Sequence, residues 1–356
     1  MIPLSLHIGT PKTATTSIQE SLWLNHDVLA RSGLLYCHTL GRTNNIDLFL
    51  ACLHPGEQGF GILENRGIIG DQQRNLFQSD VIRRLSESAL HIESTPSLQR
   101  LVSSSEHFWF LWSDVHFQNL KHILGEAGVY IDRIIVYFRS QSDLLYSALS
   151  TMVRDGYCRS DVDAATLGSH ELQYLDYYSR LILWRQNFPE AAMHPFLFND
   201  HKKDILSHFY SVCSCKSESL VPSPVMNESL CDIGISLMSE LNRRFFSDMG
   251  RPEIVKLLST ENPRTVLGRL VEKCFPGKPI PTPATVQAIN SFYQTSNVRL
   301  VDQFFPGRQL DDLCPCPLSV DSYHESGLDH ESIGKLVTLL IEALKYPAIS
   351  PESVSA

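Results

Sequence analysis

The stretch HIGTPKTATTSIQ, residues 7–19, gathers a lysine and a run of hydroxyl side chains into one short turn. Lys12 supplies a positive charge, and Thr13, Thr15 and Thr16 supply hydroxyl donors, which together are the chemistry of an anion cradle. A nucleotide-hydrolysing loop follows G-x-x-x-x-G-K-[ST]. With Gly9 on its first glycine, Ala14 falls on the second, Thr15 on the lysine and Thr16 on the hydroxyl residue. Lys12 therefore stands early, inside the turn rather than at the helix start. From there it lies over the anion and can neutralise charge on a leaving oxygen. No strand ends in an acidic residue suited to hold magnesium. The pattern fits a nucleotide whose 5′-phosphate is held while a neighbouring group departs. Its plain alternative is a threonine-capped helix start without a ligand.

The elements around the loop follow from periodicity. LSLHIG (4–9) is a short apolar run, the mark of a buried strand, and Ile18, Leu22 and Leu29 recur at helical spacing up to Gly33. Residues 34–37 form a second strand, and 38–70, rich in Gly, Asn and His, form a long loop or irregular insertion. A polar helix over 71–92 leads to a third strand, RLVSSSE (100–106). After a helix over 114–128, DRIIVYFR (132–139) is the strongest strand, followed by a helix over 140–156 with a Ser/Asp-rich start. A helix near 171–187, a strand over 192–198 and a helix near 200–213 complete the alternation. The expected fold is α/β, a mostly parallel, doubly wound sheet over 1–215. Residues 216–356, helical with Pro-rich interruptions, are expected as C-terminal additions packed on that core.

Composition narrows the partners. The 356 residues carry a formal charge of −9, with 43% hydrophobic and 19% charged residues, values of an ordinary globular chain. No basic block interleaved with aromatics is present, which argues against nucleic acid. There is no secretory signal and no apolar stretch long enough to span a bilayer, so the expectation is a cytoplasmic chain without an integral membrane segment. Nine scattered cysteines read as reduced thiols, and the pairs Cys213/Cys215 and Cys314/Cys316 lack the spacing of common zinc ribbons. His38, His54 and His116 read as surface or core histidines, and no metal is expected.

GTPKTATTSIQ resembles the 5′-phosphosulfate loop of sulfotransferases that use 3′-phosphoadenylyl sulfate (PAPS), where the loop reads Pro-Lys-[Ser/Thr]-Gly-Thr-[Thr/Ser]. Ala14 replaces the glycine; a methyl group there is costly if the backbone needs positive φ. The resemblance implies that Pro11, Lys12, Thr13, Ala14, Thr15, Thr16 and Ser17 hold the 5′-phosphosulfate. It also implies a 3′-phosphate site, an arginine ending a strand and a serine eight residues on, which VYFRSQSDLLYS supplies as Arg139 and Ser147. An arginine at the carboxyl end of a parallel strand points into the ligand crevice, and its planar fork suits phosphate. Weaker echoes at LDYYSRLILWRQNFPEAAMHPFLFND, NESL and SNVRLVDQFFPG extend the resemblance over nearly the whole chain, and the missing G-x-x-G-x-x-K points to the bacterial type.

The resemblance further implies a base near the end of a central strand, and LVSSSEHFW offers Glu106 and His107. The bacterial SSE version favours Glu106, and strand alternation lets only one of the two face the acceptor. Ser104 and Ser105 either touch sulfuryl oxygens or satisfy backbone groups. The implied reaction moves the sulfuryl group of PAPS to an acceptor hydroxyl of a glycan, lipid-linked sugar or small metabolite. The acceptor pocket would come from residues 38–70 and the C-terminal helices. Two other readings stay open, a P-loop kinase of nucleotides or small molecules and a non-catalytic nucleotide-binding protein.

Overall fold

The computed structural model describes residues 1–159, 162, 166–215, 220–221, 229–314 and 330–345. Five strands, β1 Ile2–His7, β2 Leu34–Tyr36, β3 Arg100–Ser104, β4 Val129–Phe138 and β5 Ala192–Leu197, form one sheet in the order β2-β3-β1-β4-β5. Every pairing is parallel. The chain is therefore α/β, as the alternation of elements implies. β1 is central, with His7 opposite Ser104 of β3 on one side and Ile135 of β4 on the other. The chain leaves β1 toward β2 and later crosses to β4 on the other side. That reversal opens a crevice at the carboxyl end of β1, where ligands of such sheets bind.

Alternation sorts the side chains of β4. Ile135 and Tyr137 join Val102 and Tyr36 in a cluster with Ile18 and Leu22 of α1 (Thr15–Leu24), Leu29 of α2 (His26–Arg31) and Phe209 of α10 (Ile205–Val212). Phe138 turns to the other face, against Trp109 and Tyr177. Both faces of β4 are thus covered, which is why its apolar run is continuous rather than alternating. Each such side chain contributes about 1.5–3 kcal/mol relative to exposure, so the carboxyl ends of β1 and β4 form a rigid floor.

Three segments differ from the sequence expectation. The first helix breaks at Asn25, whose Nδ2 donates back to the Ser21 carbonyl (2.9 Å) and across to the Val221 carbonyl (3.1 Å). Residues 38–70 are not an irregular insertion throughout: they hold α3 (Ile46–Cys52) and the short α4 (Ile62–Asn65). Asp47 of α3 is buried and pairs with Arg66 (2.6 Å) and with Arg84 (2.9 Å) of α5 (Asp71–Ser94), which ties the segment down. The third strand ends at Ser104, because Ser105 caps a 3-10 turn over Glu106–Phe110.

The division of the chain also departs from a cut at 215/216. One compact unit comprises 1–141, 166–226 and 290–316; the other comprises 142–165, 227–289 and 317–356. The second begins within α7 (Gln141–Arg154), and α14 (Pro283–Phe304) returns the chain to the first. Burial of apolar stripes, not chain order, decides membership. Leu149 and Val153 of α7 pack with Met238 of α11 (Asp232–Phe246), Leu267 of α13 (Pro263–Cys274) and Val337 of α16 (His330–Lys345). Among the described residues no helix is long and apolar enough to cross a membrane.

Candidate functional site

The loop from Ile8 to Ala14 leaves β1 with its backbone bonded to β4. Ile8 N–H donates to Ile135 O (3.0 Å), Thr10 N–H to Tyr137 O (3.1 Å), and Tyr137 N–H to Gly9 O (2.8 Å). Two threonines are used inside the loop: Thr10 Oγ1 donates to Tyr137 O (3.0 Å) and Thr13 Oγ1 to Thr10 O (2.6 Å). Gly9 has φ 109°, and a Cβ there would stand 3.3 Å from the Cα of Glu106, so the third-strand segment comes directly against the turn.

Lys12 (φ 63°) and Ala14 (φ 60°) are left-handed, with Thr13 between them on the ordinary side. Alternating handedness turns successive N–H groups toward one concavity, an anion-binding nest. Ala14 ends the loop as the residue before α1 and carries no capping group, so the first N–H groups of the helix lack a side-chain cap. Thr15 is buried, Thr16 and Ser17 are half-buried, and none of their hydroxyls has a hydrogen-bond partner among the described residues. The methyl of Ala14 is thus in the costly situation, positive φ without glycine, at about 1 kcal/mol or more.

Arg139 directly follows β4, and its Nη1 donates to the backbone carbonyl of Lys12 (3.0 Å). Its guanidinium lies 5.8 Å from the Phe198 ring centre, and its own carbonyl accepts from Tyr177 Oη (3.0 Å). Arg139 therefore touches the turn rather than standing apart from it. Ser147, half-buried on α7, belongs to the second unit.

Glu106 and His107 do not alternate as strand neighbours, because both lie on the 3-10 turn and both reach Asn44. Glu106 Oε2 accepts from Gln19 Nε2 of α1 (2.6 Å) and from Asn44 Nδ2 (3.3 Å), while Oε1 has no bond among the described residues. His107 Nδ1 lies 3.4 Å from Asn44 Nδ2 and 3.3 Å from Ser105 Oγ, with its ring among Phe49, Phe60 and Phe110. Burial there lowers its pKa, against a smaller opposing pull from Glu106. The two serines serve the frame: Ser105 Oγ accepts from His107 N–H (3.2 Å), and Ser104 Oγ bonds His7 Nδ1 (2.8 Å).

Sequence reasoning missed three contributors. His7 ends the central strand, fully buried, with its ring edge-on to Tyr137 and Phe209. Burial pushes its pKa down to about 3, against a weaker pull from the Gly9 backbone. The histidine within the apolar run LSLHIG is the signal that could have found it. Asn44 and Asn45 pin the turn before α3 to the site: Asn45 Oδ1 accepts from Ser104 N–H (3.1 Å), and its Nδ2 donates to Cys37 O (2.9 Å). Gly41 permits that turn, since a Cβ there would stand 2.1 Å from Asn44 O.

His38, His54 and His116 each have separate neighbours. His116 Nε2 bonds Glu57 (2.6 Å), His54 Nδ1 bonds Pro55 O (2.6 Å), and His38 packs near Trp23. Cys213 and Cys215 are buried thiols, Cys314 accepts from Asn297 (3.0 Å), and Cys316 lies outside the described residues. Among the described residues no three His, Cys, Asp or Glu side chains are grouped to hold a metal ion. Comparison with family models, with curated proteins and with solved structures finds no match for this chain.

Proposed function

We propose that the chain is a PAPS-dependent sulfotransferase that moves the sulfuryl group to an acceptor hydroxyl. The observation that carries the reading is the turn itself. Two left-handed residues, Lys12 and Ala14, and the start of α1 converge at the carboxyl end of the central strand, with a lysine inside the turn. A 5′-phosphosulfate would meet the N–H groups of the nest and the hydroxyls of Thr15, Thr16 and Ser17. Lys12 would neutralise charge on the oxygen between sulfur and phosphorus, and the Arg139 guanidinium would bring its charge to the nucleotide's other phosphate. Glu106, oriented through Oε2 by Gln19 and Asn44, would take the acceptor's proton on Oε1. His107, kept neutral by burial among three phenylalanines, would wall the acceptor side.

Calorimetry and a transfer assay with labelled PAPS test this. Adenosine 3′,5′-bisphosphate should bind without magnesium, and labelled sulfate should pass to hydroxyl compounds of a cell extract. Lys12→Ala should lower the transfer rate by roughly 10²–10³-fold, the usual effect of removing one such donor. A near-normal rate in that variant, or binding only of magnesium–ATP, would end the proposal.

A further inference from the structure

A second cavity lies in the first unit, away from every residue assigned above, with a volume of about 550 Å³. Volumes of this order hold small organic ligands. Its walls come from α8 (Tyr177–Asn187), from the 3-10 segment before it and from the later turns of α14. Trp112 and Phe292 are 41% and 52% exposed and Tyr293 is buried, so flat apolar surfaces border the space. Gly168, at φ 86°, admits Phe292: a Cβ there would stand 2.8 Å from its ring.

Arg180 gives the cavity its chemistry. It is 8% exposed, and among the described residues the only hydrogen bond of its side chain is a long one from Nε to Gln173 O (3.4 Å). Among the described residues neither terminal nitrogen has a hydrogen-bond or ion-pair partner, although the side chain lines the space. The nearby acid does not serve it. Asp176 accepts instead from Ser179 N–H (3.1 Å), from Ser179 Oγ (2.7 Å) and from Ser296 Oγ. Burial lowers the guanidinium pKa to about 10, still charged at neutral pH. Asp176 attracts the guanidinium through space without contacting it, and a buried charge whose terminal nitrogens lack a contact partner is costly and marks a candidate ligand site.

We propose that this cavity binds a small monoanion, a carboxylate carried on a six-membered ring, with the carboxylate on Arg180 and the ring against the aromatic walls. A guanidinium takes a carboxylate through two parallel bonds. Asp176 and Arg299 line the same space and offset each other in charge, which leaves the single charge of Arg180 for a monoanion rather than a dianion such as a phosphate monoester. Sugar acids and aromatic acids share this chemistry. The site is independent of the reading of the Lys12 turn.

The test uses the full chain with four probes, glucuronate and benzoate and their neutral counterparts methyl glucoside and benzyl alcohol, read by calorimetry and Trp112 fluorescence. At least one carboxylate should bind at millimolar or lower concentration, and its neutral counterpart at least about tenfold more weakly. Whichever acid binds names the source of the ring. Arg180→Gln should weaken that carboxylate by about ten- to a hundredfold, and Arg180→Lys should recover part of the loss. Failure of both acids to bind, or equal binding to Arg180→Gln, overturns the proposal. A second measurement guards against a purely structural role. Arg180→Met should raise the unfolding midpoint by about 2 °C or more, since it removes an unpartnered charge; a fall of several degrees overturns the proposal.

Discussion

Arg180 in the first unit and Arg264 in the second are buried alike, at 8% and 4% exposure, and burial lowers both to about 10. Their partners differ completely. Arg264 donates to Asn242 Oδ1 from Nε (3.1 Å) and Nη2 (2.8 Å), and its Nη2 also reaches the carbonyls of Val153 and Arg154 (both 3.2 Å) at the end of α7. It adds donors at a helix terminus where Asn242 Nδ2 (2.6 Å) and Gly156 N–H (3.3 Å) also reach Val153 O. Arg180 closes nothing. Equal desolvation with opposite satisfaction separates a charge that builds the fold from one that waits for a ligand. Arg139 belongs with the first kind through its bond to Lys12 O.

The comparison breaks most directly in stability. Arg264→Met should lose about 3 kcal/mol, because Asn242 Oδ1 stays buried without the two donors Arg264 gives it. Chemical denaturation of that variant beside Arg180→Met should give shifts of opposite sign; the same sign for both would dissolve the distinction. His7 is an intermediate case, with Nδ1 bonded to Ser104 and Nε2 buried without a hydrogen-bond partner among the described residues. Its folded pKa, about 3, is below the ordinary 6.5, so the unfolded chain binds the extra proton. Its contribution is complete above pH 6.5, declines by about 1.4 kcal/mol per pH unit below that, and stops declining near pH 3. Denaturant midpoints from pH 7 to 4 should fall accordingly, and His7→Asn should flatten the slope.

Two smaller effects sharpen the picture at the turn. Arg139→Gln should weaken adenosine 3′,5′-bisphosphate by about ten- to a hundredfold, the value of a charge-assisted contact. An unchanged affinity by calorimetry would leave Arg139 a structural role at the turn rather than a nucleotide contact. Ala14→Gly should change stability least, a gain of about 0.5–1 kcal/mol in a thermal melt, because glycine occupies φ 60° without strain. A loss there would mean that the methyl packs usefully against the core cluster it borders.

Most of the first unit was legible in the residues themselves. Ile134–Phe138 could only be a strand covered on both faces, and the Lys12 turn sits at the strand–helix junction that LSLHIG and TTSIQ mark. Other features were hidden. Ser105 stops β3 through its own side chain, which removed the alternation expected of Glu106 and His107. The helices within 38–70 depend on Asp47 meeting Arg84 from a distant helix.

The amino-acid order alone determined the alternation of strands and helices, the parallel sheet and the lysine placed inside a hydroxyl-rich turn, since periodicity and turn chemistry act between near neighbours. Tertiary structure alone decided which charges found partners. Arg264 met Asn242, Arg139 met the Lys12 carbonyl, His7 met Ser104, and Arg180 met a cavity. Desolvation and hydrogen-bond satisfaction depend on what residues far apart in the chain bring to one point, and no local pattern encodes that.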